Sequence, residues 1–229
     1  MKKVLILLGV AALFVATSSC GTTASKPKSE ADSVAYALGI DVGKWLKGMD
    51  STVNVNMFAQ AIKDVIGNKA KLTDEDAMAF LNEYFMVRKP AKTLAESEAF
   101  LTKIEKDNKN VKKTESGLLY EIIAEGGEKP TNAMDTVEVN YLGTLPNGEK
   151  FDSSYDRNEP ATFPLNGVIP GWTEGLQLVG KGGKIKLWIP SELAYGAQQR
   201  SQQIGPNQAL VFEIELLNVT KAADTTTVK

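Results

Sequence analysis

Histidine is absent from all 229 residues, and the one cysteine is Cys20. Missing histidine removes the commonest general base and the commonest metal ligand together, so Ser-His triads, zinc sites and imidazole acid/base chemistry are excluded. The carboxylates Asp74, Glu75 and Asp76 follow Thr73 and precede Met78, Leu81 and Phe85, which is the pattern of a helix start rather than of a calcium loop. Gly180-Lys181-Gly182-Gly183-Lys184 lacks the GxxxxGK[ST] spacing and leads into a strand pattern, so it reads as a hairpin turn and not a phosphate loop. No metal and no cofactor are expected. What remains is a density of aromatic residues near element ends in the second half: Tyr141, Phe151, Phe163, Trp172, Tyr195 and Phe212. Such residues either fill a core or line an apolar slot that grips a ligand without bond-making chemistry.

The elements that must position them fall into two regimes. From 31 to about 110, apolar residues recur at helical spacing: Val34, Leu38, Val42, Trp45 and Leu46, then Met57, Phe58, Ala61, Ile62 and Val65. A third helix begins at Thr73, and Pro90 should break or kink it near Arg88 before the helical pattern resumes from Leu94 to Ile104. From Gly117 the period changes to two. Leu119, Glu121 and Ile123 form one strand face, followed by Val137, Val139 and Tyr141, by Ile185, Leu187 and Ile189, and by Leu210, Phe212, Ile214 and Leu216. Pro146-Asn147-Gly148 marks a turn. A single helix from Gly171-Trp172 interrupts the strands, with Trp172, Leu176 and Val179 on one side. The fold class is therefore α+β, an antiparallel sheet with a short helix, preceded by an all-α region.

The N-terminus carries Lys2 and Lys3, an apolar run from Val4 to Val15, and small residues up to Cys20, which is a signal peptide rather than a span. Cys20 resembles the bacterial lipobox cysteine, and lipidation there would leave GTTASKPKSE as a tether. With 26 Lys and Arg against 28 Asp and Glu, and Lys2 and Lys3 leaving with the leader, the mature chain is mildly acidic, which argues against nucleic acid as a partner. The expected divisions are 1–19 as signal peptide, 20–30 as lipidated tether, 31–112 as helical region, 113–221 as sheet domain and 222–229 as a flexible tail.

Four blocks carry a family likeness: VNYLGTLPNGEKFDSSYDR, FPLNGVIPGWTEGLQLV, IPSELAYGA and IGPNQALVFEIELL. In this order, across most of 136–219, they resemble an FK506-binding-type peptidyl-prolyl cis/trans isomerase domain. YALGIDVG, LTDEDAMAFL and EAFLTKIEKDNKNVKKTESGLLYEII resemble the N-terminal dimerisation region of macrophage-infectivity-potentiator and FkpA-like isomerases. The resemblance implies a half-barrel sheet wrapping the short helix, and catalytic roles for Tyr141, Asp152, Ile169, Trp172 and Tyr195. Trp172 would be the pocket floor, the Ile169 backbone N–H and the Tyr195 hydroxyl would contact substrate carbonyls, and Asp152 would pair with the Tyr141 hydroxyl. Phe151, Phe163, Val168, Ile204 and Phe212 would contact the substrate.

It further implies proline-containing unfolded or exported proteins as substrates, an FK506-like macrolide as a ligand of the same pocket, and a homodimer through 31–112. The location implied is the bacterial cell envelope, lipid-anchored at the outer membrane and facing the periplasm. Two departures stand out. Only Pro164-Leu165-Asn166-Gly167 separates Phe163 from Val168, with Ala161 where the minimal eukaryotic domain has a pocket phenylalanine, and Gln198 to Gln203 is polar, with Arg200 near a position often held by histidine. A non-catalytic binding module or chaperone is the competing reading, and intact Tyr141, Asp152, Trp172 and Tyr195 favour the enzyme.

Overall fold

The computed structural model describes residues 26–50 and 52–222. The expected signal peptide, Cys20 and the end of the tail from 223 lie outside the described residues. The chain divides into two compact units, Met1–Lys47 and Gly48–Lys229. In the first, helix α1 begins at Glu30 and runs on to Met49. Its stripe of Val34, Leu38, Val42 and Trp45 is exposed. No described helix is long and apolar enough to cross a membrane.

The second unit opens with α2 (Val55–Ile66) and α3 (Asp74–Glu83). Asn54 caps α2 by accepting from Met57 N–H, and Thr73 caps α3 by accepting from Asp76 N–H, which satisfies donors that a helix start leaves without partners. Of the break or kink expected at Pro90 near Arg88, the structure shows no break but an irregular turn that ends at Arg88. The chain stays helical from α3 through a π-helical turn, Tyr84–Arg88, into α4 (Lys89–Asp107). Lys89 N–H bonds to Tyr84 O, five residues back, so the backbone widens just where the proline ring would otherwise meet the preceding turn. Asp50 clamps this turn: it accepts from the Tyr84 hydroxyl at 2.7 Å and lies 3.4 Å from Lys89 Nζ.

Among the described residues seven strands follow, all antiparallel: β1 (Lys112–Lys113), β2 (Leu119–Ala124), β3 (Thr136–Thr144), β4 (Lys150–Ser153), β5 (Ala161–Pro164), β6 (Lys184–Ile189) and β7 (Leu210–Thr220). Their order is β1-β2-β6-β7-β3-β4, with β5 also paired to β3. β4 and β5 were too short and too close to proline for an alternating pattern to show in the sequence. Helix α5 (Pro170–Gly175) crosses the concave face, continued by a 3-10 turn, Leu176–Leu178. Gly171 and Gly175 allow this approach: a Cβ on Gly171 would come within 2.5 Å of Ile189, and one on Gly175 within 2.7 Å of Leu187. Trp172, Leu176 and Val179 then join Val137, Val139, Ile185, Leu187, Ile189, Ile214 and Leu216 in the main core.

Two expectations change here. The core-facing residues of β2 and its approach are Leu118, Tyr120 and Ile122, not Leu119, Glu121 and Ile123. Leu119 instead joins Trp188 and Val211 beneath Phe100, Leu101 and Ile104 of α4. Because α4 covers the second face of the sheet, both parities carry apolar residues and alternation alone misassigns the face. The Gly180–Gly183 segment is a turn that leads from the 3-10 helix into β6 and folds on Gly126 and Gly127, with Gly127 N–H bonded to Lys181 O at 2.8 Å. It is therefore not a hairpin between strands.

Candidate active site

Between α5 and the concave face of the sheet lies a cavity of about 960 Å³. The aromatic rings are brought there by five different elements. β3 and β7 pair with Tyr141 opposite Ile214 and Gly143 opposite Phe212, which sets Tyr141 and Phe212 on the same face. β4 adds Phe151, and Gly143 makes room for it: a Cβ on Gly143 would come within 2.8 Å of the Phe151 ring and 2.9 Å of the Phe212 ring. β5 adds Phe163, and α5 supplies Trp172 from below.

The rings meet edge to face. Trp172 lies 5.1 Å from Tyr141 at 83°, 5.1 Å from Phe212 at 85° and 5.8 Å from Phe163 at 85°. Phe151 stands against Phe212 at 5.5 Å and 87°. Such arrangements direct positive ring edges at negative faces and fix each ring's orientation. Trp172 is only 3% exposed. Its indole N–H has no acceptor among the described residues, a cost tolerated most often at functional sites.

A bonded set of polar side chains faces this apolar floor. The Tyr141 hydroxyl donates to Asp152 Oδ2 at 2.5 Å, and Arg157 donates to Asp152 Oδ1 at 2.7 Å and to the Tyr141 oxygen at 2.8 Å. Burial alone would raise the Asp152 carboxyl, but the Tyr141 hydroxyl and the Arg157 guanidinium outweigh it and hold the group below the ordinary carboxylate value. The Tyr141 hydroxyl is pushed up, first by burial and then by its bond to Asp152. Arg157 is raised as well, chiefly by its bond to Asp152. All three shifts run away from neutral pH, so Asp152 stays ionised and Tyr141 and Arg157 stay protonated there.

Ile169 is the N-cap of α5, extended at φ −61° and ψ 148° because Pro170 follows. Its carbonyl accepts from Trp172 and Thr173 N–H at 2.9 and 3.1 Å, while its own N–H precedes the helix and stands outside that ladder. Thr173 Oγ1 ties the helix to Leu165 O at 2.5 Å, and Leu165, in the short link after Phe163, is fully buried. Tyr195 follows the 3-10 turn Ser191–Leu193. Arg200 lies with its guanidinium 5.4 Å from the Tyr195 ring, in the cavity wall.

The cavity thus gathers Tyr141, Phe151, Asp152, Phe163, Val168, Ile169, Trp172, Tyr195 and Phe212. Ile204, expected among the substrate-contacting residues, belongs to the same core as Trp172 and Phe212 but is not among the residues that line the cavity. Its carbonyl accepts from Arg200 and Ser201 N–H, and its own N–H donates to Ser201 Oγ, so the turn folds its side chain inward. Ala161 does line the cavity. Arg157 was not anticipated. The signal for it lay in the SSYDR block, since a part-buried carboxylate calls for a cation within reach. Among the described residues no cluster of metal-ligating side chains occurs.

Comparison with known proteins matches this architecture. A family model described as FKBP-type peptidyl-prolyl cis-trans isomerase covers residues 127–217, and one described as the domain amino-terminal to it covers 31–122. The FKBP-type peptidyl-prolyl cis-trans isomerase FkpA of Aeromonas hydrophila is 40% identical over 87% of this chain and 82% of its own length. The outer membrane protein MIP of Legionella longbeachae is 35% identical over 97% of this chain and 100% of its own. Among solved structures, FkpA from Escherichia coli superposes with a TM-score of 0.59 at 38% identity, covering 86% of this chain and 100% of that one. With an aromatic cavity of this form and relatives of this extent, the chain belongs to the FKBP-type peptidyl-prolyl cis-trans isomerases.

Proposed function

We propose that the cavity floored by Trp172 is where this enzyme turns X–Pro bonds, and that the edge-to-face cage is the feature that carries catalysis. Rotation about the bond is slow because amide resonance opposes it, with a barrier of roughly 18–20 kcal/mol and uncatalysed times of tens to hundreds of seconds. No bond needs to break. The twisted amide has lost charge separation relative to the planar one, so an apolar slot that excludes water favours it over the ground state. In this reading the rings of Tyr141, Phe151, Phe163, Trp172 and Phe212 surround the prolyl ring, with Val168 beside them. The Ile169 N–H donates to a carbonyl of the bound chain, the Tyr195 hydroxyl donates to another, and they hold the segment while proline rotates. Asp152 and Arg157 keep the Tyr141 hydroxyl in place. An FK506-like macrolide would compete for the same cavity.

The finer setting is part of the same proposal. The lysine-led apolar leader and Cys20 support export and lipid anchoring, and a relative that is named an outer membrane protein supports the cell envelope. Exported proteins containing proline are then the substrates. The exposed apolar stripe of α1 and the exposed Met57, Ile62 and Val65 of α2 support a homodimer through the helical region, with holding of unfolded clients as an accompanying activity.

The test is isomerisation of short X–Pro peptides by the chain beginning after Cys20, with Trp172→Ala and Asp152→Ala beside it. We expect clear acceleration by the parent, and a loss of about tenfold or more in each variant, since each removes a fixed wall or its support. Variants as active as the parent would place the chemistry elsewhere, and a folded parent that accelerates nothing would leave only client holding.

A further inference from the structure

The wall that carries Tyr195 and Arg200 is the long connection from β6 to β7, residues 190–209. It contains only the short 3-10 turn Ser191–Leu193, so few regular backbone bonds fix its position. Its own turn bonds and the buried Ile204 hold it from within, and helix α4 holds it from outside. The Ser97 side chain is buried in the interior of that helix, 3% exposed, where a serine hydroxyl commonly bonds back to its own helix. Thr93, one turn earlier, does so, donating to Lys89 O at 3.0 Å. Ser97 instead donates to Asn207 O at 3.0 Å and accepts from Ala209 N–H at 3.0 Å.

Asn207 completes the attachment. It sits at φ +59°, which asparagine tolerates better than most residues. Its side-chain Nδ2 donates to Pro90 O, at the start of α4, at 3.2 Å. Its backbone N–H donates to Gly196 O at 2.7 Å, one residue past Tyr195. Helix α4 is itself seated on the sheet through Phe100, Leu101 and Ile104. A rigid path therefore runs from the back of the sheet, through Ser97 and Asn207, to the residue beside Tyr195.

We propose that Ser97 and Asn207 are positioning residues for the isomerase reaction. By tying the β6–β7 connection to α4, they set where the Tyr195 and Arg200 wall stands, and hence which residues beside proline the cavity accepts. An element outside the sheet thereby takes part in substrate selection. The proposal rests on the reading of the cavity as the isomerase site.

Steady-state kcat and KM on a series of X–Pro peptides, with Tm alongside, test it for the parent chain, Ser97→Ala, Ser97→Thr, Asn207→Gly and a control, Val111→Ala. Val111 belongs to the same α4–sheet contact but bonds to no part of the connection. Ser97→Ala leaves the part-buried Asn207 carbonyl and the buried Ala209 N–H without that partner, and Asn207→Gly keeps the backbone conformation while deleting the bond to Pro90. We expect both to lose about fivefold in kcat/KM, mainly through KM, with a changed order of preference for X. Ser97→Thr, which keeps the hydroxyl, should stay near the parent, and Val111→Ala should lower Tm with unchanged kinetics. If Ser97→Ala or Asn207→Gly lowers Tm as the control does while kcat/KM stays within about twofold of the parent, the proposal is overturned. An inactive parent would remove the isomerase reading itself, a result distinct from an active parent with indifferent variants. Should Ser97→Ala fail to fold, Asn207→Gly decides alone.

Discussion

The sheet and the helices before it treat apolar side chains in opposite ways. Ile185, Leu187, Ile189, Leu210, Ile214 and Leu216 are fully buried, whereas α2 and α3 bury no residue at all and leave Val65, Ile66 and Met78 more than half exposed. Both regions are patterned for an apolar face. In the sheet, α5 and α4 supply the covering surfaces within the chain, but α1 to α3 display theirs. The difference teaches that periodicity specifies a face and not what covers it, and that a chain able to complete its own core at residues 118–219 keeps the helical face for something else.

The comparison can be broken most forcefully by stability. Leu187→Ala should cost about 3–4 kcal/mol in urea unfolding, because a buried leucine against α5 leaves a cavity that rigid neighbours cannot fill. Val65→Ala should change stability by less than about 0.5 kcal/mol at low protein concentration. An equal loss in both would mean that α2 is already covered within one chain. A loss for Val65→Ala that appears only as protein concentration rises would instead point to a second copy.

A smaller effect sharpens the role of the exposed face. Leu38→Glu in the middle of the α1 stripe should weaken self-association by about tenfold or more, read by sedimentation, since an interface cannot bury an unpaired carboxylate cheaply. The rate on short X–Pro peptides should not move. Unchanged mass would assign the α1 stripe to something other than dimerisation.

The smallest effect expected is on pH. With no histidine, the Asp152 carboxyl held low and the Tyr141 hydroxyl pushed up, kcat/KM should be flat from about pH 5 to pH 9. Stability should fall only at the acid end. Asp135, which accepts first from Ala222 N–H and also from Thr131 N–H, is lowered from 3.8 to about 2 in the folded state. A depressed folded value means that its contribution is complete above 3.8 and is lost as pH falls through that range toward 2. A titration in kcat/KM near pH 6 or 7 would require a proton-transfer role for a carboxylate of the cavity, Asp152 or Glu159.

How far the sequence could be read depended on whether a residue's role was local. The helix start at Thr73 obeys a short-range capping rule, and Trp172 and Leu176 stand one helical turn apart across α5 and the 3-10 turn after it, with Val179 extended just beyond, so these were accessible to spacing. The aromatic set was nameable too, because one family's blocks hold Tyr141, Phe151, Trp172, Tyr195 and Phe212 in a fixed order. By contrast, the covered back face of β2 misled alternation, Ile204 was turned inward by a serine-capped turn, and Arg157 acquired its importance only by reaching two oxygens on different strands.

By itself, then, the sequence determined that histidine is missing and that aromatic residues gather in its second half, while their reading as a pocket that needs an environment rather than a nucleophile came from the family resemblance. The sequence also determined the change of period from helix to sheet, since hydrophobic spacing is a property of neighbours in the chain. Only the tertiary structure decided that Tyr141, Asp152 and Arg157 form one bonded set, that α4 lies on the sheet rather than with α2 and α3, and that Ser97 reaches the cavity wall. Those relations join residues up to 112 positions apart, and contacts at such separation are set by strand register and packing, which no local pattern encodes.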